Sequence, residues 1–453
     1  MEWIERANET VHSVVWGPVM IAAFLGAGLW FTCRSGFFQV RRFGLWQKKT
    51  FLSLFRRGGK GESGKETINA LQVMSTALAA SLGTGNIVGV AGALIIGGPG
   101  SIFWMWVSAL LGMMTSFAEN ALGVYYRYRD QNGRYVGGPM VYMERGLGFK
   151  WAAVLFAVFC IFASFGIGNM TQGNSAASAL ENQFHLPPAA TGIAVAVLFA
   201  AVSAGGITRI AKVTEKLIPF LAIGYLGAGL VIIALNYRQI LPAFSAIFEG
   251  AFDMKSAAGG LAGSAMIRAL RCGTARGVFS NEAGMGSAVF AHCAAENGEP
   301  AEQGMWGMFE VFTDTIVMCT VTALVILTSG AAFDGSSDAA ALSTQAFSGV
   351  FGRAGGALVA AGVALFAFAT LIGWSYFGEK SVTYLFGQRA VRPYRFLFTA
   401  VAFLGCVVKP SLAWDLSDTF NGLMAVPNLI AVLSLSGDVL NILRDYLTRQ
   451  TRV

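Results

Sequence analysis

Charge is scarce in this sequence. Asp, Glu, Lys and Arg together make up only 13% of the 453 residues, whereas hydrophobic residues make up 55% and the mean hydropathy is +0.58. So few charged side chains cannot cover the surface of a soluble protein of this length. The composition therefore excludes a water-soluble fold and indicates an all-α polytopic membrane protein. In that setting the net charge of +7 gives no reason to expect a nucleic-acid partner.

The residues that enzymes and metal centres use are also few or scattered. The six cysteines have no C-x-x-C spacing, and the three histidines stand far apart in the chain. The phosphate-binding pattern G-x-x-x-x-G-K-[ST] does not occur. These absences argue against a catalytic constellation, a metal cofactor and ATP-driven pumping. We therefore expect a protein that is not an enzyme and that carries no cofactor.

Long apolar runs take the place of charge. A helix that crosses a bilayer needs about 20 apolar residues, and about eleven such segments can be identified along the chain. The seventh is interrupted by Arg268, Arg271 and Arg276. The predicted spans are 14–33, 70–97, 101–126, 150–180, 188–206, 214–236, 257–292, 303–329, 354–386, 394–409 and 415–442.

Lysine and arginine concentrate in alternate loops. If the N-terminus lies outside, most of the 32 basic residues fall in inner segments, and only the acidic segment 292–303 departs from the pattern. Positive charge marks the cytoplasmic side of a membrane protein. We therefore predict an outer N-terminus and a cytoplasmic C-terminus in a bacterial cell membrane.

Ten spans remain after the first, and they divide into two sets of five. An odd number of spans per half places the second half upside down, as in the inverted repeats of many secondary transporters. The sequence thus predicts an N-terminal helix with a basic cytoplasmic loop (1–66), a first repeat of spans two to six (67–250), and a second repeat of spans seven to eleven with a cytoplasmic tail (251–453).

The first span of each repeat contains a glycine-rich polar interruption, at 83–86 and at 277–286. In lipid an unpaired backbone group costs several kcal/mol, so a break persists where it lines a cavity that holds ions or substrate. Corresponding breaks in both halves indicate a binding site at the middle of the membrane. The structural alternative is glycine that only lets helices pack closely.

An unwound helix offers partial charges of both signs. The N–H groups of one half-helix attract a carboxylate, and the carbonyl groups of the other attract a cation. In the first break Gly85 leaves the backbone open to an anionic group, and Thr84 and Asn86 add polar side chains. The carbonyls of Ala79 and Leu82 suit a hard cation such as sodium.

Other polar and aromatic positions fit the same interpretation. In the second break Phe279 and Met285 can enclose a small apolar side chain, and Ser280 or Asn281 can cap the half-helix that follows. Thr370 and Trp374 are four residues apart and share a helix face, while Gln172 lies within the fourth span. Structural alternatives remain for two of them: packing for Trp374 and an interhelical hydrogen bond for Gln172.

Several ionisable residues fall in or near the spans. Charge is costly in lipid, so each should face a partner or water. Structural ion pairs and a proton relay are both open explanations for the group, which comprises Glu119, Arg276, Glu282, Glu310, Asp314 and Glu379.

Five motifs together resemble the alanine or glycine:cation symporter family, with a likeness that runs from about residue 69 to 439. They are GTGNIVGV (83–90), GGPGSIFWMWV (97–107), GGPM (137–140), RGVFSNEAGMGSA (276–288) and GWSYFGE (373–379). The resemblance implies a LeuT-type five-plus-five inverted repeat with an extra N-terminal helix. It also implies sodium-coupled import of a small neutral amino acid, alanine or glycine.

The resemblance implies particular site residues as well. Carried over by position, it implies substrate contacts at Thr84, Gly85, Asn86, Gln172, Phe279, Met285, Thr370 and Trp374. By analogy with the fold, a sodium ion would lie between the carbonyls of Ala79 and Leu82 and the hydroxyl of Thr370. A proton-coupled transporter using Glu282 or Glu119, or a channel lined by the two breaks, are the alternatives.

Overall fold

Helices make up nearly all of the chain in the computed structural model, which describes residues 8, 10–13, 15–56, 69–131, 133, 135–252, 262–296, 298–331, 339–408 and 410–451. The helices of the N-terminal part and the first repeat are α1 (Pro18–Arg34), α2 (Phe38–Arg41), α3 (Phe43–Lys49), α4 (Phe51–Arg56), α5 (Ala70–Ser81), α6 (Val88–Gly97), α7 (Gly100–Tyr126), α8 (Pro139–Leu147), α9 (Lys150–Phe165), α10 (Thr171–Phe184), α11 (Pro188–Ser203), α12 (Gly206–Leu235) and α13 (Ile240–Phe252).

The second repeat has the same all-helical character. Its helices are α14 (Ala262–Asn281), α15 (Val289–Cys293), α16 (Pro300–Val311), α17 (Thr320–Ser329), α18 (Ala339–Phe351), α19 (Arg353–Phe386), α20 (Val391–Val407), α21 (Pro410–Ser434) and α22 (Ser436–Thr451). Short 3-10 turns cover Thr84–Asn86, Tyr237–Gln239 and Gln388–Ala390, and wider π-helical turns cover Gly166–Met170 and Phe312–Cys319. The strands β1 (Tyr128–Arg129) and β2 (Tyr135–Val136) form one antiparallel pair.

Local sequence fixes where several helices begin and end. Asn69 and Gln72 form a capping box at the start of α5, because the Asn69 side chain accepts from the Gln72 N–H (2.9 Å) and the Gln72 side chain accepts from the Asn69 N–H (3.2 Å). Pro139 opens α8, where its missing N–H has no cost, and Gly148 closes it at φ +71°. These caps fix the start of α5, which leads into the first break, and both ends of α8, which follows strand β2.

The described chain contains six helical segments that are long and apolar enough to cross a membrane: Gly100–Tyr126, Lys150–Phe184, Gly206–Leu235, Pro300–Ser329, Arg353–Phe386 and Gln388–Val407. A bent pair, Ser417–Ser434 with Ser436–Thr451, would make a seventh. Four shorter apolar helices fall on predicted spans, and two of them are the halves of the broken second span. The count of about eleven therefore stays a prediction, since broken or short helices do not meet a length criterion.

Two predicted spans differ from the structure. The eleventh, predicted at 415–442, ends as α21 at Ser434, and the chain bends by 59° into α22. Charged residues return after that bend, so α22 does not continue the apolar run. The seventh, predicted at 257–292, is helical only to Asn281 and resumes at Val289 within the described residues.

Close helix contacts bring the two broken helices together. Helix α7 lies between α14 and α16, while α10 packs on α19 and α11 on α20. A Cβ atom on Gly273 of α14 would stand 2.1 Å from the Ser101 carbonyl oxygen of α7, and one on Gly307 of α16 would stand 2.0 Å from Asn120 Nδ2. Small residues at these contacts let the backbones approach. They hold the second break beside the middle of α7.

Helices α13 and α18 were not predicted, and neither were the short helices α2, α3 and α4 in the predicted basic loop. Helix α13 packs on α7, where Phe248 and Phe252 meet Phe103 with ring centroids 5.7 and 4.7 Å apart. Helix α18 packs on α19, α17 and α6. Each has 13 residues, which is too short to cross the bilayer. Both precede a long helix of the second repeat, α14 and α19 respectively.

Candidate functional site

The first helix break lies between α5 and α6. Helix α5 ends at Ser81, and the 3-10 turn Thr84–Asn86 leads to α6 at Val88. In an unbroken helix the Gly83 N–H would donate to the Ala79 carbonyl. Here it donates to Asn86 Oδ1 at 3.1 Å, so the Ala79 carbonyl is released from that bond. The side chain of Asn86 thereby stabilises the unwound backbone.

The second break begins later than the sequence predicted. Residues 277–281 are still helical, and the unwound stretch is 282–288, where Glu282, Gly284 and Gly286 have φ of +57°, +95° and +77°. The prediction that Ser280 or Asn281 caps the following half-helix is wrong. Both residues belong to the last turn of α14, and α15 starts at Val289 after the N-cap residue Ala288, without a side-chain cap. Asn281 Oδ1 instead accepts from the Ala283 N–H (3.0 Å) inside the turn.

A buried carboxylate joins the two breaks. Asp314, in the π-helical turn Phe312–Cys319, accepts from Asn86 Nδ2 (2.7 Å) and Ser280 Oγ (3.1 Å) through Oδ1. Its Oδ2 accepts from Thr315 Oγ1 (2.7 Å), which in turn accepts from Asn281 Nδ2 (3.0 Å). Asn86 comes from the first repeat and Ser280 from the second. A shift of either break therefore changes the hydrogen bonding of Asp314.

A small cavity lies beside the first break. Its volume is about 10 Å³, counted as space open to the centre of a water molecule, which holds about one water. An amino acid fits there only if the surrounding helices separate. The lining residues are Ala80, Ser81, Gly83, Gly85, Ile167, Gln172, Phe279, Glu282 and Thr370.

Four predicted substrate contacts line this cavity, namely Gly85, Gln172, Phe279 and Thr370. The other four do not. Thr84 and Met285 are buried in the two breaks, and the amide of Asn86 is bonded to Asp314. The Trp374 indole N–H donates to Glu282 Oε1 (2.8 Å), so it reaches the cavity through that carboxylate.

Three oxygens near the first break lack hydrogen-bond partners within the described chain. They are Thr84 Oγ1, Gln172 Oε1 and Thr370 Oγ1, all buried. A Cβ atom on Gly83 would stand 2.6 Å from Thr370 Oγ1 and 3.4 Å from Gln172 Oε1. These two oxygens therefore face the unwound backbone. Buried polar atoms are normally paired, so this group is suited to a cation or a ligand that donates hydrogen bonds.

The predicted sodium ligands come from the end of α5 and from α19. Ala79 and Leu82 are both buried at the end of α5, and the Thr370 hydroxyl approaches Gly83 just beyond it. Leu82 keeps its helical bond, since its N–H donates to the Leu78 carbonyl (2.7 Å). Neutral carbonyl and hydroxyl oxygens at the end of a half-helix are a donor set that suits a sodium ion.

Sequence reasoning missed several lining residues. Glu282 was identified as an ionisable group in a span and as an alternative proton carrier but not as a substrate contact, although it accepts bonds from Trp374 and Ser287 and borders the cavity. Its position among polar and glycine residues of the second motif was the available signal. Ile167 carried none, because an apolar residue in an apolar span looks the same whichever way it faces.

The six ionisable residues for which we expected a partner or water each have a partner in the structure. Glu119 accepts from the Gly284 N–H (3.2 Å) and from Asn428, whose amide also donates to the Gly284 carbonyl (2.9 Å). The remaining pairs are Glu310 with His292 (3.0 Å), Glu379 with Arg395 (2.5 Å) and Arg276 with Asp418 (3.5 Å). Glu119 thus fixes the second break from the α7 side.

Two broken helices that line one buried cavity are typical of the secondary transporters with inverted repeats. The chain belongs to the sodium:alanine symporter family, whose sequence model matches residues 1–452. It is similar to the "Sodium/alanine symporter AgcS" of Methanococcus maripaludis, with 45% identity over 97% of this chain and 96% of that protein. It is also similar to the "Probable sodium/glutamine symporter GlnT" of Bacillus subtilis, with 39% identity over 99% and 92% of the two chains.

A solved structure supports the fold. The crystal structure of MhsT in complex with L-phenylalanine aligns with a TM-score of 0.61, covering 83% of this chain and 90% of that one at 13% sequence identity. At so low an identity the likeness concerns the fold alone. The chain has the predicted LeuT-type arrangement of a multi-pass helical membrane transporter.

Proposed function

We propose that this protein is a secondary active symporter that imports a small neutral amino acid, alanine or glycine, together with sodium by alternating access. The observation that carries the proposal is the set of three buried oxygens without partners, Thr84 Oγ1, Gln172 Oε1 and Thr370 Oγ1, at the first break. Family membership supports amino-acid and sodium transport in general. The identity of the substrate and the residues that bind the sodium ion are our inference.

The amino acid would be held at the first break by its two charged groups. Its carboxylate would face the start of α6, which has no side-chain cap and carries the positive end of the helix dipole. Gly85 keeps that approach open. Its ammonium group would donate to Gln172 Oε1, whose amide nitrogen is already bonded to the Ile167 carbonyl (2.9 Å). Phe279 and Ile167 would exclude large side chains.

The sodium ion would lie between the carbonyls of Ala79 and Leu82 and the hydroxyl of Thr370. Thr370 belongs to α19 of the second repeat, whereas α5 belongs to the first. An ion at this position would therefore bind most tightly when the two repeats, 67–250 and 251–453, are close together. Inward movement of one charge supplies about 2.3 kcal/mol per 100 mV, enough to concentrate a neutral substrate more than tenfold.

Proton coupling is the second candidate, and one observation favours it. The Glu282 carboxylate borders the cavity and is held by Trp374 and Ser287. A carboxylate beside the substrate could carry a proton across in place of sodium. Such a carrier would work in sodium-free buffer.

The test is uptake of labelled alanine into proteoliposomes with an inward sodium gradient, compared with an equal potassium gradient. We expect accumulation with sodium only. Equal uptake in both, driven by an imposed proton gradient, would show coupling to protons in place of sodium and make Glu282 the first candidate for the proton carrier. Labelled glutamine in the same vesicles tests the substrate class, and a preference for glutamine over alanine would contradict it.

A further inference from the structure

A second cavity lies on the other side of Phe279. It encloses about 280 Å³, large enough for a small amino acid, between α14, the N-terminal residues and α21. Its lining includes His12, Arg268, Arg271, Arg276, Phe279 and Asp418. The three arginines are the basic residues of the seventh span that fit neither the inner nor the outer loops of the topology.

The cavity has an excess of positive charge. Arg276 lies 3.5 Å from Asp418, and the same carboxylate is 3.8 Å from His12 Nε2. Arg268 and Arg271 form no ion pair or side-chain hydrogen bond with the residues that the structure describes. The one carboxylate in the lining is thus shared by Arg276 and His12, and two guanidinium groups remain for another anion.

The cavity adjoins the central site. Phe279 lines both cavities, and the guanidinium of Arg276 lies 5.6 Å from the centre of its ring. A molecule in the arginine-lined cavity is therefore separated from the first break by that ring and its neighbours. The predicted outer N-terminus places this cavity on the outer side.

We propose that this arginine-lined cavity is an outer receiving site for the carboxylate of the transported amino acid. Arg268 and Arg271 bind the carboxylate through paired N–H groups, which match its geometry. Asp418 lies within the same cavity and attracts the ammonium group. The proposal rests on the proposed function, since it assumes an amino-acid substrate, but it does not depend on which ion drives transport.

Transport kinetics give the first test. Replacing both residues, Arg268→Gln with Arg271→Gln, should raise the KM for alanine about three- to tenfold and leave the maximal rate unchanged. The matched control is Arg238→Gln with Arg353→Gln, which removes the same charge from the predicted outer face away from the cavity. Added salt should raise the wild-type KM towards that of the cavity variant, because it screens exposed charge.

Binding without transport gives the second test. Trp16 lines the cavity, so its fluorescence reports on an anion there. Purified protein is titrated with sodium propionate, a carboxylate without an ammonium group, and with sodium chloride. We expect a propionate-dependent change that is lost in Trp16→Phe and in the double arginine variant.

The outcomes separate the two proposals. No change that depends on Trp16 would overturn the receiving site, whatever the uptake assay gives. Equal responses to propionate and chloride would indicate that the cavity binds an inorganic anion and would overturn its assignment as a carboxylate site. A Trp16 response in a protein that does not transport alanine would keep the carboxylate site and contradict the proposed substrate. A rise in KM that the Arg238→Gln and Arg353→Gln control shares would indicate general attraction by the outer face and overturn the specific site.

Discussion

The hydroxyl of Thr370 is buried, has no hydrogen-bond partner among the described residues, and faces the unwound backbone at Gly83. An unsatisfied buried hydroxyl lowers the stability of a folded protein by about 1–3 kcal/mol. Packing alone would be better served by valine, which has the same shape. The proposed role of Thr370 as a sodium ligand would explain why a hydroxyl stands here.

Thr370→Val should therefore separate stability from function. We expect the melting temperature of the purified protein to stay level or rise, because the unpaired oxygen is gone. The sodium concentration for half-maximal uptake should rise at least tenfold, since an ion ligand is lost. Thr328→Val is the control: its buried hydroxyl donates to the Leu324 carbonyl (2.7 Å) away from the site. Normal sodium dependence in Thr370→Val would remove Thr370 from the ion site.

Some contacts of single residues could not be predicted from the sequence. Asn86 was predicted as a substrate contact because it stands in a break, but its amide is bonded to Asp314, 228 residues away. No local pattern identifies such a pairing. Asp314 itself was noted only as an ionisable group that needs a partner. Its position between Asn86 and Ser280 required the packing of both repeats.

At the scale of the element, the broken helix depends on space as well as on flexibility. Gly83 has φ −131°, an extended conformation that any residue adopts. Its requirement is steric, since a Cβ atom would stand 2.6 Å from Thr370 Oγ1 and occupy the cavity. Gly89, in α6 just after the break, has open space around its Cβ position, with nothing within 4 Å.

This contrast predicts opposite results for two alanine substitutions. Gly83→Ala should abolish alanine uptake while the protein remains folded, because the added methyl group separates α5 from α19. Gly89→Ala should keep full uptake and gain about 0.5–1 kcal/mol in stability from better helix propensity. Uptake in proteoliposomes and thermal unfolding in detergent measure the two effects. Active Gly83→Ala would show that the first break does not bind the substrate.

Elements were predictable where composition changes abruptly. The first break was placed within a few residues, because Gly83 and Asn86 interrupt an otherwise apolar run. The second began later than predicted, since Phe279 and Ser280 remain helical beside Asp314. Helices α13 and α18 were missed because they are short, and their contacts with α7 and α19 form only in the assembled bundle.

The whole molecule accounts for the acidic segment 292–303 that departs from the charge pattern. Glu302 lies 3.0 Å from Lys49 of α3 and accepts a bond from the Tyr446 hydroxyl of α22 (3.0 Å). Glu299 pairs with Arg449 of α22 (2.9 Å). The acidic residues of this segment thus pair with basic residues of two other segments that are predicted to be cytoplasmic. Their contact places all three on one side of the membrane, as the predicted topology requires.

Side-specific labelling tests that topology. The parity of the spans predicts that Gly133 and Thr451 face the cytoplasm and that Arg238 faces outside. Each is changed singly to cysteine in a protein in which Cys33 and Cys272, the two native cysteines that are not buried, are serine. A maleimide that cannot cross membranes should label Arg238→Cys in intact cells. It should label Gly133→Cys and Thr451→Cys only after the cells are opened.

The pattern of labelling decides between span counts. Arg238 and Thr451 are separated by the five predicted spans of the second repeat, and an odd number puts them on opposite sides. Helices α14 and α15 are too polar or too short to pass as spans alone. If they did not cross the membrane together, four crossings would remain and the two labelled sites would lie on the same side. Labelling of both sites in intact cells would thus show that the predicted seventh span does not cross the membrane. The inverted repeat would fail with it, because α14 carries the second break.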